Sequence, residues 1–241
     1  MDDNTLALAL HDDAPSSIGR AFDELAMRAW PHVARALGYT VRVGPDCADD
    51  GREVLRAVWG AVGATPPAEL AWVGERYDRA TTWIVAYRGA EPVGVFGLLD
   101  MRVASVSLDY DRRTVPAGLD LACTRELARL AIVPSHRRGR GVVMVALLRE
   151  MLHWSKQNHI KTLFAGSTPR LFRVYARYNA TARLVDTLPA PPESEALSRY
   201  FAPLRARGGP GVHFTFEVDG ARPWDVFTRF LAGKLYRRRS G

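Results

Sequence analysis

Cysteine is scarce in this chain of 241 residues, which contains only Cys47 and Cys123. Two thiols so far apart in sequence cannot build a disulfide framework, and they lack the close spacing of zinc ligands. No pair among the six histidines has a metal-ligand spacing either. We therefore expect reduced thiols and no bound metal.

Long apolar runs are also missing. No stretch approaches the roughly 20 consecutive apolar residues that a membrane-spanning helix needs. The N-terminal segment MDDNTLALALHDDAPSS carries acidic residues where a secretory signal peptide carries basic ones. These absences predict a cytoplasmic protein.

Internal repeats, low-complexity tracts and long linkers are absent as well, so nothing divides the chain convincingly. We expect an N-terminal extension with an amphipathic helix over residues 1–38 and one domain over residues 39–241. That domain includes a proline- and glycine-rich insertion near residues 187–211, predicted to hold one or two helical turns, and a basic C-terminal helix.

Acidic residues are outnumbered, with 26 Asp and Glu against 33 Lys and Arg, so the formal net charge is +7. This excess predicts an anionic partner: phosphate, nucleic acid, an acidic protein or a membrane surface. Nucleic acid is disfavoured because no aromatic residues interleave the arginines and no helix-turn-helix pattern occurs. The amphipathic segment FTRFLAGKLYRRR leaves membrane contact open beside simple packing on the sheet.

Hydrophobic periodicity predicts alternating strands and helices, which indicates an α/β fold with a mixed sheet covered by helices. The segment from the third strand through Pro116 is predicted to be irregular. The predicted strands are residues 39–43, 81–87, 92–100, 123–133, 161–165, 182–186 and 212–218. The predicted helices are residues 18–37, 51–62, 67–77, 141–157, 169–179 and 224–236.

One stretch, RLAIVPSHRRGRGVVMVALLREMLHW, places arginines and glycines between a strand and a helix. A helix N-terminus presents unpaired backbone N–H groups and a positive dipole end. Glycines let a phosphate approach those groups, and arginines add charge. The stretch therefore predicts an anion site, with a solvated basic turn as the alternative.

Together with its neighbours, this stretch resembles the cofactor loop of the GCN5-related N-acetyltransferase (GNAT) superfamily. The family pattern is Arg or Gln, any two residues, Gly, any residue, then Gly or Ala. In one register Arg138 and Gly141 match, and Val143 stands where the family has Gly or Ala. In the other register His136 would begin the pattern, with Gly139 and Gly141 following.

The resemblance covers about residues 39–186 and includes the order of elements. It implies a mixed, mostly antiparallel central sheet with helices on both faces and a splayed fourth strand. The superfamily has a tyrosine in the helix after the fifth strand, and Tyr175 in LFRVYARYNA matches it, with Tyr178 close behind. The usual Gly-Phe ending of that segment is replaced by Asn179-Ala180.

One subgroup is closer in appearance. The segments YTVRVGPDCADDGREVLRAVW and YDRATTWIVAYRGAEPVGVFGLLD, and the pair Glu126 and Arg129, are similar to the N-acyl amino acid synthases and acyl-homoserine-lactone synthases. Those enzymes use long acyl chains, often delivered on acyl carrier protein. The resemblance thus implies acyl-CoA or an acyl-phosphopantetheine carrier as donor.

The resemblance also implies roles for single residues. Tyr175 would be the acid for the leaving thiolate, with Tyr178 as the second choice, and Arg129 belongs to a Glu-x-x-Arg pair directly before the glycine loop. Independently of the resemblance, amide formation from a thioester needs a base, and Glu126 is the candidate, directly or through a water, because partial burial on a strand raises the pKa of a carboxyl group. The alternatives are a structural Glu126 paired with an arginine and a Tyr175 that only packs. Residues three apart in a regular strand point to opposite faces of the sheet. A bulge would bring Glu126 and Arg129 to the same face.

The resemblance finally places the donor along the fourth strand and the following loop, with a backbone N–H near Ala131 or Ile132 binding the thioester oxygen. The implied donor-binding residues are Ala131, Ile132, Val133, Arg138, Gly139, Arg140, Gly141, Val142 and Val143. The function so implied is N-acyl transfer to a small amine or amino acid. The alternatives are an ordinary acetyl-CoA-dependent N-acetyltransferase and a basic module on the same fold that binds nucleic acid or an acidic protein.

Overall fold

The computed structural model of the chain describes residues 17–60, 68–137, 141–208, 211–226 and 228. The predicted loop residues Arg138, Gly139 and Arg140 lie outside this part. So do the first sixteen residues and most of the predicted C-terminal helix. The side chain of Tyr178 is likewise not described.

The described residues form a seven-stranded sheet in the order β1-β2-β3-β4-β5-β7-β6. Every neighbouring pair is antiparallel except β4 and β5, so the predicted mixed, mostly antiparallel sheet is confirmed. The strands are Tyr39–Val43 (β1), Thr81–Arg88 (β2), Glu91–Asp100 (β3), Thr124–Ile132 (β4), Thr162–Ser167 (β5), Arg183–Leu184 (β6) and Val212–Glu217 (β7).

Helices connect these strands and cover the sheet. Among the described residues, none of them has the length and apolar content that spanning a membrane requires. The helices are Ser17–Ala36 (α1), Ala48–Trp59 (α2), Ala71–Ala80 (α3), Val106–Asp111 (α4), Pro134–Arg137 (α5), Val142–Gln157 (α6), Pro169–Tyr178 (α7) and Glu195–Gly208 (α8).

The two faces of the sheet carry different helices. On one face, which we call the α6 face, α1, α6 and α7 pack around buried Phe96, Leu147 and Phe214. On the other, which we call the α2 face, α2, α3, α4 and α8 cover residues such as Trp83 and Leu99. Helices therefore lie on both faces, as the resemblance implied.

β4 and β5 separate soon after they meet. Their parallel pairing involves only Thr124–Glu126 on β4, although β4 continues to Ile132. β5 pairs along all six of its residues with β7 instead. A slot therefore opens between β4 and β5 beyond Glu126, and the predicted splayed fourth strand is confirmed.

Four elements differ from the sequence prediction. α5 occupies residues predicted as a turn, and β6 has two residues where a strand over 182–186 was predicted. α4 lies in the segment predicted to be irregular, because a six-residue helix is too short to show helical periodicity. α8 has 14 residues where one or two turns were predicted within the insertion. It is held against the α2 face by buried Leu197 and Phe201.

Candidate active site

A bulge in β4 sets the geometry of the site. Gly97 pairs with Ala128 and Val95 with Ala131, so Arg129 and Leu130 together oppose one residue of β3. Arg129 has a left-handed φ of 58°, which is rare for a residue with a side chain. The extra residue turns Arg129 to the α2 face, the face that Glu126 also occupies.

Glu126 is fully buried on β4 beneath the N-terminus of α4. Its Oε2 accepts a hydrogen bond from the Val106 N–H at 2.8 Å, and its Oε1 accepts one from the Ser107 N–H at 2.7 Å. The Ser107 hydroxyl also donates to Oε1. Burial raises the pKa of Glu126, although these hydrogen bonds act in the opposite direction.

The raised pKa gives the folding stability a pH dependence. Because the folded protein holds the Glu126 proton more tightly than the unfolded chain, stability falls as pH rises from the ordinary pKa of 4.5 through the raised one. Replacing Glu126 by glutamine should remove this dependence. Urea unfolding of both proteins at several pH values measures it, and parallel stability curves would contradict it.

Ser107 was missed by the sequence analysis. Ser107 contacts the carboxylate of Glu126, which has no exposed surface, and is itself only partly buried. It therefore connects the buried carboxylate with solvent. Its hydroxyl can accept a proton while it passes its own proton to Oε1 of Glu126. Its place in a predicted loop gave no reason to single it out.

Arg129 is held by a network of charges and an aromatic ring. Its guanidinium donates to Oδ1 of Asp78, and its Cζ lies 4.9 Å from the centroid of the Trp83 ring. Asp78 also accepts from Nε of Arg52 at 2.8 Å. Burial lowers the pKa of Arg129, and the Asp78 charge offsets that effect. Arg129 is thus paired with Asp78 rather than with Glu126.

α3 and α8 supply further polar groups on this face. The Tyr77 hydroxyl donates to Oδ2 of Asp109 at 2.8 Å, and burial raises the pKa of that carboxyl group. Burial also raises the pKa of Tyr200 on α8 to about 12. The insertion therefore places the aromatic side chain of Tyr200 near Arg129. The proline- and glycine-rich composition of the insertion did not indicate this feature.

The end of β4 offers a single backbone donor to the slot. Val133 N–H donates to the Val93 carbonyl at 3.0 Å, so it is engaged with β3. Because N–H groups alternate in direction along a strand, the Ala131 N–H points to β3 and the Ile132 N–H points away from it. Of these predicted donor-binding residues, Ile132 is the one whose N–H faces the slot.

The described end of the glycine loop forms the N-terminus of α6. Gly141 adopts a left-handed φ of 72°, and its carbonyl accepts the first helical hydrogen bond, from Val145 at 2.8 Å. The N–H groups of Val142, Val143 and the next residue precede that bond, so they have no partner within the helix. The side chains of both valines are buried, so their backbone alone can contact an anion.

Val143 departs from the family pattern but packs inward. Its Cγ1 would lie 2.6 Å from a Cβ atom added to Gly94 on β3, so the glycine makes room for the valine. The side chain is 1% exposed and belongs to the core of the α6 face. The extra volume at Val143 is therefore accommodated by β3 and does not project toward the loop.

The fit between Gly94 and Val143 predicts a reciprocal pair of variants. Gly94→Ala should destabilise the protein by about 1–3 kcal/mol through overpacking, and Val143→Ala by roughly 2 kcal/mol through lost burial. The double variant should be more stable than the sum of the two effects by about 1 kcal/mol or more. Urea unfolding of all four proteins measures this coupling, and strict additivity would show that the two residues do not interact.

Tyr175 does not lie beside Glu126. Its ring packs against Phe214 and Phe216 of β7 on the α6 face, with centroid distances of 5.4 and 5.8 Å. Burial raises the pKa of its hydroxyl to about 12, so the group carries its proton at neutral pH. The predicted acid and the predicted base thus lie on opposite faces of the sheet.

Comparisons with known proteins gave matches among solved structures. No protein-family model and no curated protein matches the chain. Among solved structures, FeeM, an N-acyl amino acid synthase from uncultured soil microbes, is 14% identical, with a TM-score of 0.46, over 75% of this chain and 91% of its own. The AHL synthase LasI is 15% identical, with a TM-score of 0.46, over 75% of this chain and 90% of its own.

A third similar structure is an aminoglycoside 6'-N-acetyltransferase complexed with coenzyme A. It is 13% identical, with a TM-score of 0.46, over 74% of this chain and 97% of its own. Because identities and TM-scores this low carry no information about chemistry, the assignment of function depends on the side chains described above. Within the described ranges, no three His, Cys, Asp or Glu side chains gather where they could hold a metal ion.

Proposed function

We propose that the chain is an N-acyltransferase that moves an acyl group from a phosphopantetheine thioester to a small amine or amino acid. The observation that carries this proposal is the parting of β4 from β5 immediately after Glu126. It leaves a slot for an extended pantetheine arm beside a buried carboxylate. A buried glutamate with a purely structural role does not require an opening between two strands beside it.

In this reaction the amine nitrogen bonds to the thioester carbonyl carbon, the carbon–sulfur bond breaks, and the sulfur gains a proton to replace the one that the nitrogen loses on becoming an amide. The amine must first lose a proton if it arrives as an ammonium ion. Glu126 would take that proton through Ser107, whose hydroxyl already donates to its Oε1. The Ile132 N–H would stabilise the negative charge that develops on the carbonyl oxygen.

The donor's pyrophosphate would lie at the N-terminus of α6. The unpaired N–H groups that follow Gly141 and the positive end of the helix dipole suit an anion. Arg138, Gly139 and Arg140 directly precede this point in the sequence and would complete the site. The charge of the loop thus supports a donor that carries phosphate.

Tyr175 is the proposed acid for the leaving thiolate, from its place on the α6 face beside β7. Tyr175→Phe keeps the ring against Phe214 and Phe216 and removes only the hydroxyl. We expect turnover to fall by about 10-fold or more, with almost unchanged stability. Steady-state thiol release and a thermal melt measure the two quantities, and Phe172→Leu serves as a packing control. Unchanged turnover would remove Tyr175 from the mechanism.

For the donor, we propose a long acyl chain on coenzyme A or on acyl carrier protein, with an amino acid as acceptor. The exposed arginines Arg170 and Arg173 on α7 would suit an acidic carrier. The simpler alternative is acetyl-CoA as donor. Both use the same slot and the same Glu126.

A thiol-release assay tests the proposal. Acetyl-CoA, a long-chain acyl-CoA and an acyl carrier protein thioester are each offered with a pool of amino acids and amines. Release that depends on an acceptor supports acyl transfer, and the preferred donor decides between the long-chain and acetyl alternatives. No release from any donor would overturn the proposal and favour the basic binding module.

A further inference from the structure

A buried histidine lies on the same face as Glu126 and has no role in the reaction described so far. His213 of β7 is 7% exposed, and its ring stacks on Phe164 at a centroid distance of 5.6 Å. Phe164 is the β5 residue that pairs with Glu126. His213 therefore lies two strands from the carboxylate, with both side chains beneath α4.

Both ring nitrogens of His213 face polar groups. Nδ1 lies 3.2 Å from the Thr187 hydroxyl, and Nε2 lies 3.1 Å from Oδ2 of Asp111. Nε2 has no aligned hydrogen-bond partner among the described residues. Thr187 and Asp111 are both partly exposed, so the imidazole is buried but its neighbours reach solvent.

Ser107 lies between His213 and Glu126. A Cβ atom added to Gly166 would lie 2.4 Å from Cβ of Ser107 and 3.3 Å from Cδ2 of His213. The two side chains therefore lie close to the same point above Gly166, in space that any larger residue would fill. Glu126, Ser107, His213 and Asp111 are therefore neighbouring proton-carrying groups, in order from the buried carboxylate toward the partly exposed Asp111, and a water molecule can bridge Ser107 to His213.

Such a series gives the reaction a route for its spare proton. When an ammonium ion and a thioester become an amide and a thiol, one proton per turnover must leave the site. Glu126 has no exposed surface, so it cannot release that proton directly to water. The Ser107 hydroxyl can pass it only to a group within reach, directly or through one water molecule.

We propose that His213 is the relay residue that carries this proton from the Glu126–Ser107 pair to solvent. The proton moves from Glu126 through the Ser107 hydroxyl to Nε2 of His213, and the imidazolium then releases either its Nδ1 proton toward Thr187 or its Nε2 proton toward Asp111. No bond other than N–H and O–H bonds changes. The relay depends on the proposed acyl transfer, but the connection between Glu126 and His213 does not.

The first test measures that connection without turnover. The groups facing His213 are Asp111 and Ser107 from α4, Thr187 from the segment after β6, and Glu126 through Ser107. The ring ¹⁵N signals of the full-length protein, recorded at one fixed pH, report the hydrogen bonding of the two His213 nitrogens. Glu126→Gln should shift these signals, while those of the exposed His32 on α1 stay unchanged. Unchanged His213 signals would overturn the relay.

The second test is kinetic. His213→Ala should lower kcat by about 10-fold with little change in donor KM, and His213→Gln, which cannot carry a proton, should behave alike. Imidazole-type buffers of increasing pKa, at one fixed pH, should restore His213→Ala progressively. Wild type and His32→Ala should not respond to buffer, which a purely structural role of His213 would not explain.

The outcomes separate the two proposals. Turnover in the wild type without buffer rescue of His213→Ala would overturn the relay and leave acyl transfer intact. Shifted His213 ring signals in Glu126→Gln, with no thiol release from any donor, would uphold the connection and overturn acyl transfer. Shifted ring signals together with rescue by buffers would support both.

Discussion

Replacing Glu126 by glutamine is expected to lower acceptor-dependent thiol release by about 100-fold or more, the usual effect of removing a general base. Glutamine has the shape of glutamate, so it fits the buried position on β4. It cannot take a proton from Ser107, so an ammonium acceptor stays protonated. kcat should therefore fall while donor KM changes little, because the donor contacts lie elsewhere.

The same substitution has a structural cost that must be separated from the chemical one. The glutamine NH₂ group cannot accept from the Val106 or Ser107 N–H, so one buried donor loses its partner. This should cost about 1–3 kcal/mol of stability. Glu53→Gln on the exposed side of α2 is the matched control, expected to change neither quantity. A folded Glu126→Gln protein with wild-type turnover would refute the base.

Arg129 carries the second large effect, this time on stability. Arg129→Ala removes the guanidinium from Asp78 and Trp83, and breaking a buried ion pair typically costs about 3–5 kcal/mol. Asp78 keeps Arg52, so the lower end of that range is expected. Alanine must also adopt the left-handed φ of 58°.

Arg129→Gly separates the side chain from the backbone. Glycine tolerates a positive φ, whereas other residues bear roughly 1–2 kcal/mol there. Arg129→Gly should therefore be more stable than Arg129→Ala by about 1 kcal/mol, although glycine normally weakens a strand. Urea unfolding gives the order, and an alanine variant at least as stable as the glycine variant would show that the bulge relaxes without Arg129.

Much of the fold could be predicted because local patterns determine it. The hairpin of β2 and β3, the strand β4 and the long helices α1 and α6 have clear periodicities, and their bounds lie within a few residues of the predictions. The resemblance added the splay of β4, which periodicity alone does not contain. Pro31 lies within α1, which nonetheless continues to Ala36.

The site was less accessible to prediction because its contacts are remote in sequence. The Glu126 carboxylate is bound by the N-terminus of α4, a helix with too few turns to show a pattern. Asp78 on α3 and Trp83 on β2 both contact Arg129. Their positions in the sequence do not indicate these contacts. The face that Tyr175 occupies depends on how α7 docks, which the helix sequence does not specify.

The packing of Val143 against Gly94 has a consequence for how such chains are recognised. The first turn of α6 has a valine, Val143, where the loop pattern has a smaller residue, and β3 has a glycine, Gly94, directly opposite it. The two positions should therefore vary together, with small residues at 143 accompanied by larger ones at 94. A sequence comparison based on the loop pattern alone would reject this chain. A comparison that evaluates residues 94 and 143 together would accept it.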